Sequence, residues 1–340
     1  MKFSLRFALP LLLALVCASP VEAAGAYAAR DEVRAFIAEM RDRHGFDDVE
    51  LAGMFAEARM LPAVIKYVLP PSSPRQRSWR AYRPRFIDGT RISSGLAFWQ
   101  KNEAALRRAS ERYGVPPELI VSIIGIETIY GRNIGTFETF SALTTLAFDY
   151  PPRAELFRRE LAELLLLARE SGRNARDFRG SYAGALGLPQ FLPSSWRKFA
   201  VDFDGDGVID LFSSPADTIG SVARFLSEHG WVPDAPIAQR VGSVGEEVAH
   251  LIQTGIEPLL NTDDLEIYGI ATPEAPPHST AFALVDLVTP DEATEYWLGY
   301  RNFYVITRYN RSVNYAMSVH DLAQEIRAAY RPVRAAGSGS

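Results

Sequence analysis

GVPPELIVSIIGIETIYG, residues 114–131, is the stretch from which the rest of the chain can be read. Gly114 breaks the preceding segment, Pro116 and Pro117 suit a first helical turn whose N–H groups have no partner inside the helix, and Glu118 favours the positive helix N-terminus. Ile120, Val121, Ile123, Ile124, Ile126 and Ile129 then cover most of the surface, which predicts a helix buried on nearly every side rather than an amphipathic one. Near its end stands one carboxylate, Glu127. Desolvation disfavours the charged form, so burial would keep the proton on Glu127 to higher pH and make it a neutral donor near neutrality. The same residue also reads as an ordinary glutamate at a helix exit, bonded to Arg132 or to water.

The segments before this helix are helical in pattern. Asp31 to His44 carries Val33, Phe36, Ile37 and Met40 at helical spacing and is closed by Gly45; Asp47 or Asp48 can cap a second helix with Leu51, Met54 and Phe55. Pro62 to Val68 reads as a third, short helix, and residues 24–75 together as an N-terminal helical subdomain with no chemistry of its own. Pro70, Pro71 and Pro74 make a breaker-rich connection. Beyond it, Trp79, Arg80, Tyr82 and Arg83 combine cations and aromatics in a way that suits carbohydrate contact, although Trp79 alone reads as core. One long helix is expected from about Ser94 to Tyr113.

Downstream, Phe140, Leu143, Leu146 and Phe148 predict another helix, ended by Tyr150-Pro151-Pro152, and Glu155 to Glu170 a leucine-rich one. GSYAGALGLPQFLPSSW, residues 180–196, has glycines among small residues that allow close backbone approach, and Gln190 offers both a donor and an acceptor. This stretch lacks the lysine of a phosphate loop and the setting of a dinucleotide fingerprint.

More specific is DFDGDGVID, residues 202–210. Asp202, Asp204 and Asp206 at loop positions one, three and five, a turn glycine at six, the Val208 carbonyl at seven and Asp210 at nine fit the first half of a calcium loop. Ser213 stands where the closing glutamate belongs, and Asp217 is the best replacement. A single, irregularly closed site argues for structural calcium rather than a sensor. After the helix Thr218 to Gly230, residues 233–310 read as a small mixed subdomain with strands at Phe282 to Val288 and Phe303 to Thr307. A helix from Ser318 to Tyr330, within a closing segment 311–332, returns to the core, and residues 333–340 read as a flexible tail.

Composition sets outer bounds. The chain has 340 residues and is 47% hydrophobic, enough for one large globular unit or a few packed subdomains. Lys2 and Arg6, the apolar run Ala8 to Val16 and the small-residue site Val21-Glu22-Ala23 predict a signal peptide over residues 1–23 and a secreted protein. The only cysteine, Cys17, raises a lipoprotein anchor as the alternative, disfavoured by the large Val16 before it. Without residues 1–23 the chain has no cysteine and a net charge of about −6, poorly matched to long-range capture of nucleic acid. The histidines His44, His229, His250, His278 and His320 are scattered, so no histidine metal site is expected.

Taken together, GIETIYGRNIG, GSYAGALGLPQFLPSSW, DFDGDGVIDLFSSPADTIGSVARFLSEHGW and FYVITRYNRS resemble the membrane-bound lytic murein transglycosylase B family, glycoside hydrolase family 103, from about Asp31 to Tyr330 in the same order. The resemblance implies a mainly α (α+β) fold, with a lysozyme-like helical catalytic core at residues 76–232 beside the two smaller subdomains. It implies a periplasmic, monomeric enzyme that cuts the β-1,4 bond between N-acetylmuramic acid and N-acetylglucosamine in peptidoglycan, leaving a 1,6-anhydro end, with other cell-wall enzymes as further partners. Carried over by motif, Glu127 is the sole catalytic acid/base, and Ser181 and Gln190 contact the sugar N-acetyl groups or the intermediate. Arg153 lies near the peptidoglycan, where family members tend to have two arginines and this chain has Pro152-Arg153; Tyr82, Phe191 and Asn310 line the groove. Calcium is held by Asp202, Asp204, Asp206, Val208 and Asp217. Three readings compete: a hydrolytic muramidase in which Asp149, Asp177 or Glu138 helps a water, a non-catalytic cell-wall scaffold, and a calcium sensor.

Overall fold

The computed structural model describes residues 27–69, 78–277 and 280–331. The expected signal peptide, Cys17, the proline-rich connection, His278 and the tail lie outside the described residues. Contacts divide the chain into two compact units, one ending at Arg59 and the other beginning at Met60.

In the first unit, α1 (Asp31–His44) and α2 (Asp48–Glu57) pack as a pair. α1 buries Val33, Phe36, Ile37 and Met40, the four residues its helical spacing brings to one face. Phe36 meets Phe55 of α2 edge to face at 5.9 Å. Gly45, at φ 67°, ends α1, and the Asp47 side chain accepts the Glu50 N–H to cap α2.

The second unit begins with α3 (Pro62–Val68), α4 (Trp79–Tyr82), α5 (Gly89–Lys101), α6 (Glu103–Tyr113) and α7 (Pro117–Thr128). α3 was expected with the N-terminal helices. It belongs instead to the second unit, because the Leu61 N–H donates to Thr145 Oγ1 at 3.0 Å and α3 packs on a later helix, α8. The expected single helix from Ser94 to Tyr113 is two, broken at Asn102, whose own side chain donates back to the Phe98 carbonyl and stops the first one.

β1 (Phe137–Glu138) leads into α8 (Thr139–Asp149) and α9 (Ala154–Glu170); β2 (Arg179–Gly180) pairs antiparallel with β1, Phe137 opposite Gly180. α10 (Pro193–Phe199) and α11 (Pro215–Glu228) follow. The N-terminus of α10 is capped by a buried acid, Glu160 of α9, which accepts the Ser194 N–H at 3.0 Å and its hydroxyl at 2.7 Å.

A small sheet then forms from β3 (Ala238–Arg240), β4 (Phe282–Leu287) and β5 (Glu295–Tyr300), in the order β3-β5-β4, with the short helices α12 (Ala249–Gln253) and α13 (Thr262–Ile267) between β3 and β4. The second strand expected here, Phe303 to Thr307, is wrong: those residues are the middle of a helix, α14 (Arg301–Tyr309). Phe303 and Ile306 lie one helical turn apart and are both buried, and the partner of β4 is the aromatic run EYWLGY just before them. The chain closes with α15 (Val313–Ala329), which starts earlier than expected because Ser312 caps it by accepting the Tyr315 N–H. α15 lies along α7 and also touches α5 and α14.

Candidate active site

α7 is enclosed as its sequence requires: the buried set runs from Glu118 through Ile126 and includes Thr128. Two polar contacts register it against α15. Ser122 Oγ donates to the Val319 carbonyl at 2.7 Å, and Arg327 pairs with the buried Glu118. α5 closes another side through a tyrosine plug. The Tyr130 hydroxyl donates to the Arg91 carbonyl at 3.1 Å, and a Cβ on either Gly95 or Gly125 would come within 2.4 Å of that hydroxyl. Glycine at both positions is what admits the ring.

The exit from α7 is strained. Ile129 and Tyr130 have φ of 52° and 56°, left-handed values that cost a β-branched residue about 1–2 kcal/mol. Thr128 holds this turn: its hydroxyl donates to the Leu188 carbonyl at 3.0 Å and accepts the Gly131 N–H at 3.0 Å, and the Asn133 N–H returns to its carbonyl. Glu127 is thereby fixed on the last turn of a rigid helix, with a backbone that cannot relax away.

Among the described residues the Glu127 carboxylate is bonded to neither Arg132 nor any other cation. Its Oε1 accepts the hydroxyl of Tyr315 at 2.5 Å. Burial raises its pKa from 4.5 to about 7, opposed only by that hydrogen bond, and no second carboxylate contributes. Tyr309 and Tyr315 stack at 6.5 Å and 13°, and the Tyr309 hydroxyl donates to the Pro189 carbonyl at 2.6 Å. Both tyrosines are held far above their ordinary pKa by burial and then by the Glu127 charge, so they are neutral hydrogen-bond donors at any working pH. Tyr82 completes the ring of phenols. It is half-buried, packed on Phe86 at 4.9 Å, and its pKa is raised first by burial and then by Glu127. An acid among neutral phenols can exist in either protonation state near neutrality, as a residue that both gives and takes a proton requires.

The other residues expected here divide. Ser181 sits in the turn after β2, its Oγ accepting the N–H groups of Ala183 and Ala185 at 3.2 and 3.0 Å, so its own hydrogen is left to donate. A Cβ on the preceding Gly180 would lie 2.2 Å from the Ala185 carbonyl, which is why the turn can be this tight. Gln190, at φ 51°, spends both amide hydrogens on the backbone, to Ile134 and Gly187, leaving only its carbonyl oxygen to offer. Phe191 does not line a groove. It is 2% exposed and packs behind Tyr309 and against Phe225, so it backs the site rather than facing it. Asn310 is exposed next to Tyr309, its Oδ1 accepting the Ser312 N–H. Arg153 stands on an exposed turn beyond the far end of α8, stacked on Phe157 at 5.3 Å, and makes no contact with Glu127. Of the carboxylates considered as helpers, Glu138 is paired with Arg176 at 2.8 Å, Asp149 is at the C-terminal end of α8, and Asp177 is exposed.

Sequence reasoning missed Tyr309, Tyr315 and Thr128. A signal existed in RYNRSVNY, where tyrosines flank a polar break between two helices, but tyrosines at such spacing are ordinary core residues until a carboxylate is found opposite them.

The acidic loop is organised around Asp217 of α11, which is 1% exposed. Its two oxygens accept the N–H groups of Phe203 at 2.7 Å and Asp210 at 2.8 Å, yet burial and then the Asp204 charge keep its pKa raised. Carboxylate oxygens of Asp202, Asp204 and Asp217 all lie within 4.8 Å of one another. An all-oxygen set around a buried acid fits a hard divalent cation of calcium type. Asp206 is outside this group, its Oδ1 accepting the Val208 N–H at 2.8 Å, and Val208 stands on the exposed turn. A cavity of about 730 Å³ opens between α9, α10 and this loop, with Phe178, Trp196 and Phe212 in its wall. Its carboxylates, Glu170 and Asp210, are both held below their ordinary range, Glu170 by its bond from Arg197 and Asp210 by hydrogen bonds from Ser213 and Phe212.

Comparison with known proteins agrees with this geometry. Residues 28–324 match the model of the transglycosylase SLT domain. The chain is 39% identical over 314 residues to a membrane-bound lytic murein transglycosylase B from Escherichia coli (strain K12), covering 90% of this chain and 85% of that protein. It superposes on a catenated lytic transglycosylase from Pseudomonas aeruginosa with a TM-score of 0.82 and 45% identity, over 89% of this chain and 99% of the other. An Escherichia coli lytic transglycosylase solved in complex with calcium gives a TM-score of 0.78 at 37% identity, over 90% and 95%. The chain belongs to the SLT-domain transglycosylase family and is a lytic transglycosylase with a lysozyme-like, mainly helical catalytic core.

Proposed function

We propose that this protein cleaves the β-1,4 bond between N-acetylmuramic acid and N-acetylglucosamine in murein without water, with Glu127 as the only acid/base. The observation that carries the reading is the isolation of Glu127: one desolvated carboxyl with a pKa of about 7, hydrogen-bonded to a neutral phenol, with no partner acid among the described residues. Glycosidases that use two carboxylates need the second as nucleophile or as base for water, whereas substrate-assisted enzymes need one.

Protonated Glu127 donates to the glycosidic oxygen, and the C1–O bond breaks as N-acetylglucosamine leaves with its hydroxyl restored. The carbonyl of the muramic N-acetyl group supports the positive charge at C1. Ionised Glu127 then takes the proton of the C6 hydroxyl, whose oxygen bonds C1 to close the 1,6-anhydro ring. The acid is regenerated and no water is consumed. Tyr315 orients the carboxyl and stabilises its charged form between the two proton transfers. Ser181 donates to a sugar acetamido carbonyl, Gln190 offers its carbonyl oxygen to an acetamido N–H, Tyr82 and Asn310 flank the sugars, and Arg153 meets the polymer further out.

Asp202, Asp204 and Asp217 would hold a calcium ion that neutralises the loop and ties it to the start of α11. The fit of the donor set supports this, as does the calcium complex of the Escherichia coli relative. With the leader expected over residues 1–23, the site of action is the periplasm. Among the described residues no helix is long and apolar enough to cross a membrane. Digestion of purified peptidoglycan followed by mass spectrometry is the test. Muropeptides lighter by one water than their reducing counterparts are expected, whereas reducing ends would identify a hydrolytic muramidase.

A further inference from the structure

The structure assigns a second carbohydrate contact to an exposed aromatic platform, Tyr67, Phe137 and Tyr182, which binds the glycan strand beyond the bond being cleaved; this rests on the murein reading above. The three rings come from separate segments: α3, β1 and the turn carrying Ser181. Tyr67 and Tyr182 have centroids 5.7 Å apart at 52°, and Tyr67 meets Phe137 at 6.3 Å, nearly edge-on at 78°. Packing would normally hide such a cluster, yet Tyr67 is 55% and Tyr182 38% exposed.

The platform is continuous with the Glu127 site. Gln190 reaches the Ile134 carbonyl, Gly135 lies against Gly180, Phe137 pairs with Gly180, and Ser181 with its donating hydroxyl is followed by Tyr182. A strand that places an acetamido group on Ser181 is therefore led over the three rings. A pyranose has an apolar face of C–H groups edged by hydroxyls, and a tyrosine offers an apolar ring with a polar tip at low rotamer cost. The three-ring cluster contains no charged side chain, so it suits the sugar chain rather than the charged peptide stems.

The test uses the full chain in a Glu127→Gln background, so that bound strands persist, with peptide-free glycan strands and a tetrasaccharide as probes. Tyr67→Ala with Tyr182→Ala is expected to weaken binding of long strands by about tenfold while changing tetrasaccharide affinity less than about twofold, and Tyr67→Phe to keep long-strand affinity. Unchanged long-strand affinity, equal loss for both probes, or binding only of strands that retain peptide stems would overturn the platform. A parallel wild-type digest separates the two proposals. Anhydro products with an unaffected double variant remove the platform alone, and no anhydro products remove the murein mechanism and the platform with it.

Discussion

Glu127, half-buried with its carboxyl withdrawn from water, and Asp217, fully buried, are carboxylic acids in the same unit, and the protein deals with their charge in opposite ways. Around Glu127 it supplies neutral phenols, one of them hydrogen-bonded, and no cation among the described residues, so the cheapest response to desolvation is to keep the proton, and the pKa rises to about 7. Around Asp217 it supplies two backbone N–H groups and two more carboxylates, a set that concentrates negative charge and calls for a metal ion. Buried acid alone therefore says little about role. In the function proposed, what neutralises the acid, a mobile proton or a fixed ion, would separate a reacting group from a structural one.

The largest expected effect breaks the comparison at the reacting end. Glu127→Gln keeps the shape and the acceptor for Tyr315 but cannot transfer a proton, so kcat on peptidoglycan should fall by about 10³-fold or more; near-normal turnover would remove Glu127 from the mechanism. In the wild type, single-turnover cleavage should decline as pH rises through about 7, where the acid loses its proton.

The same substitution should show the stability cost of that proton. The folded-state pKa lies above its ordinary 4.5, so ionisation is disfavoured in the fold, and stability falls as pH rises from about 4.5 through about 7. Glu127→Gln should therefore be more stable than wild type by up to about 3 kcal/mol at pH ~8 and equal to it near pH ~3.5, read by urea denaturation. A gain independent of pH would mean that packing, not charge, is responsible.

At the acidic loop the sign of the experiment reverses, because the charge is to be kept rather than removed. Saturating calcium should stabilise the wild type by about 2–3 kcal/mol, seen as a midpoint several degrees higher than in chelator, and Asp204→Asn should lose most of that increment. Equal midpoints with and without calcium would refute the metal site. Cleavage by the calcium-free protein, measured well below its melting point, should retain the pH dependence of the loaded form.

The smallest effect sharpens the proton side. Tyr315 lowers the Glu127 pKa, so Tyr315→Phe should move the alkaline limb of the pH–rate profile upward and reduce kcat by about tenfold or less. An unmoved limb with reduced rate would limit Tyr315 to packing.

Much of this comparison was legible from local chemistry. The all-apolar surface of α7, its proline start and the placement of Glu127 at its end needed only periodicity. Loop spacing named Asp202, Asp204 and Asp206, and Asp217 as the replacement for the missing closing residue; the carboxylates of Asp202, Asp204 and Asp217 cluster, while that of Asp206 is turned to the Val208 N–H, because loop position does not say which way a side chain turns. Phe191 was misplaced on the groove for a similar reason: its neighbours Gln190 and Leu192 give no hint that Phe225 and Tyr309 enclose it. Phe303 to Thr307 was read as a strand from β-branched content, and the packing of α14 on α15 and β5 overrode that local preference.

By itself, then, the sequence determined which segments bury themselves and where an acid is stranded among apolar residues, since both follow from the period of side chains along one helix. Only the tertiary structure decided what that acid meets. Tyr315 lies 188 residues further along the chain, Leu188 holds the strained turn through Thr128, and Tyr82 arrives from a third segment. Proton affinity depends on dielectric and neighbours within a few ångströms, and those neighbours are set by how α15 and the small-residue loop fold back on α7, which no local pattern encodes.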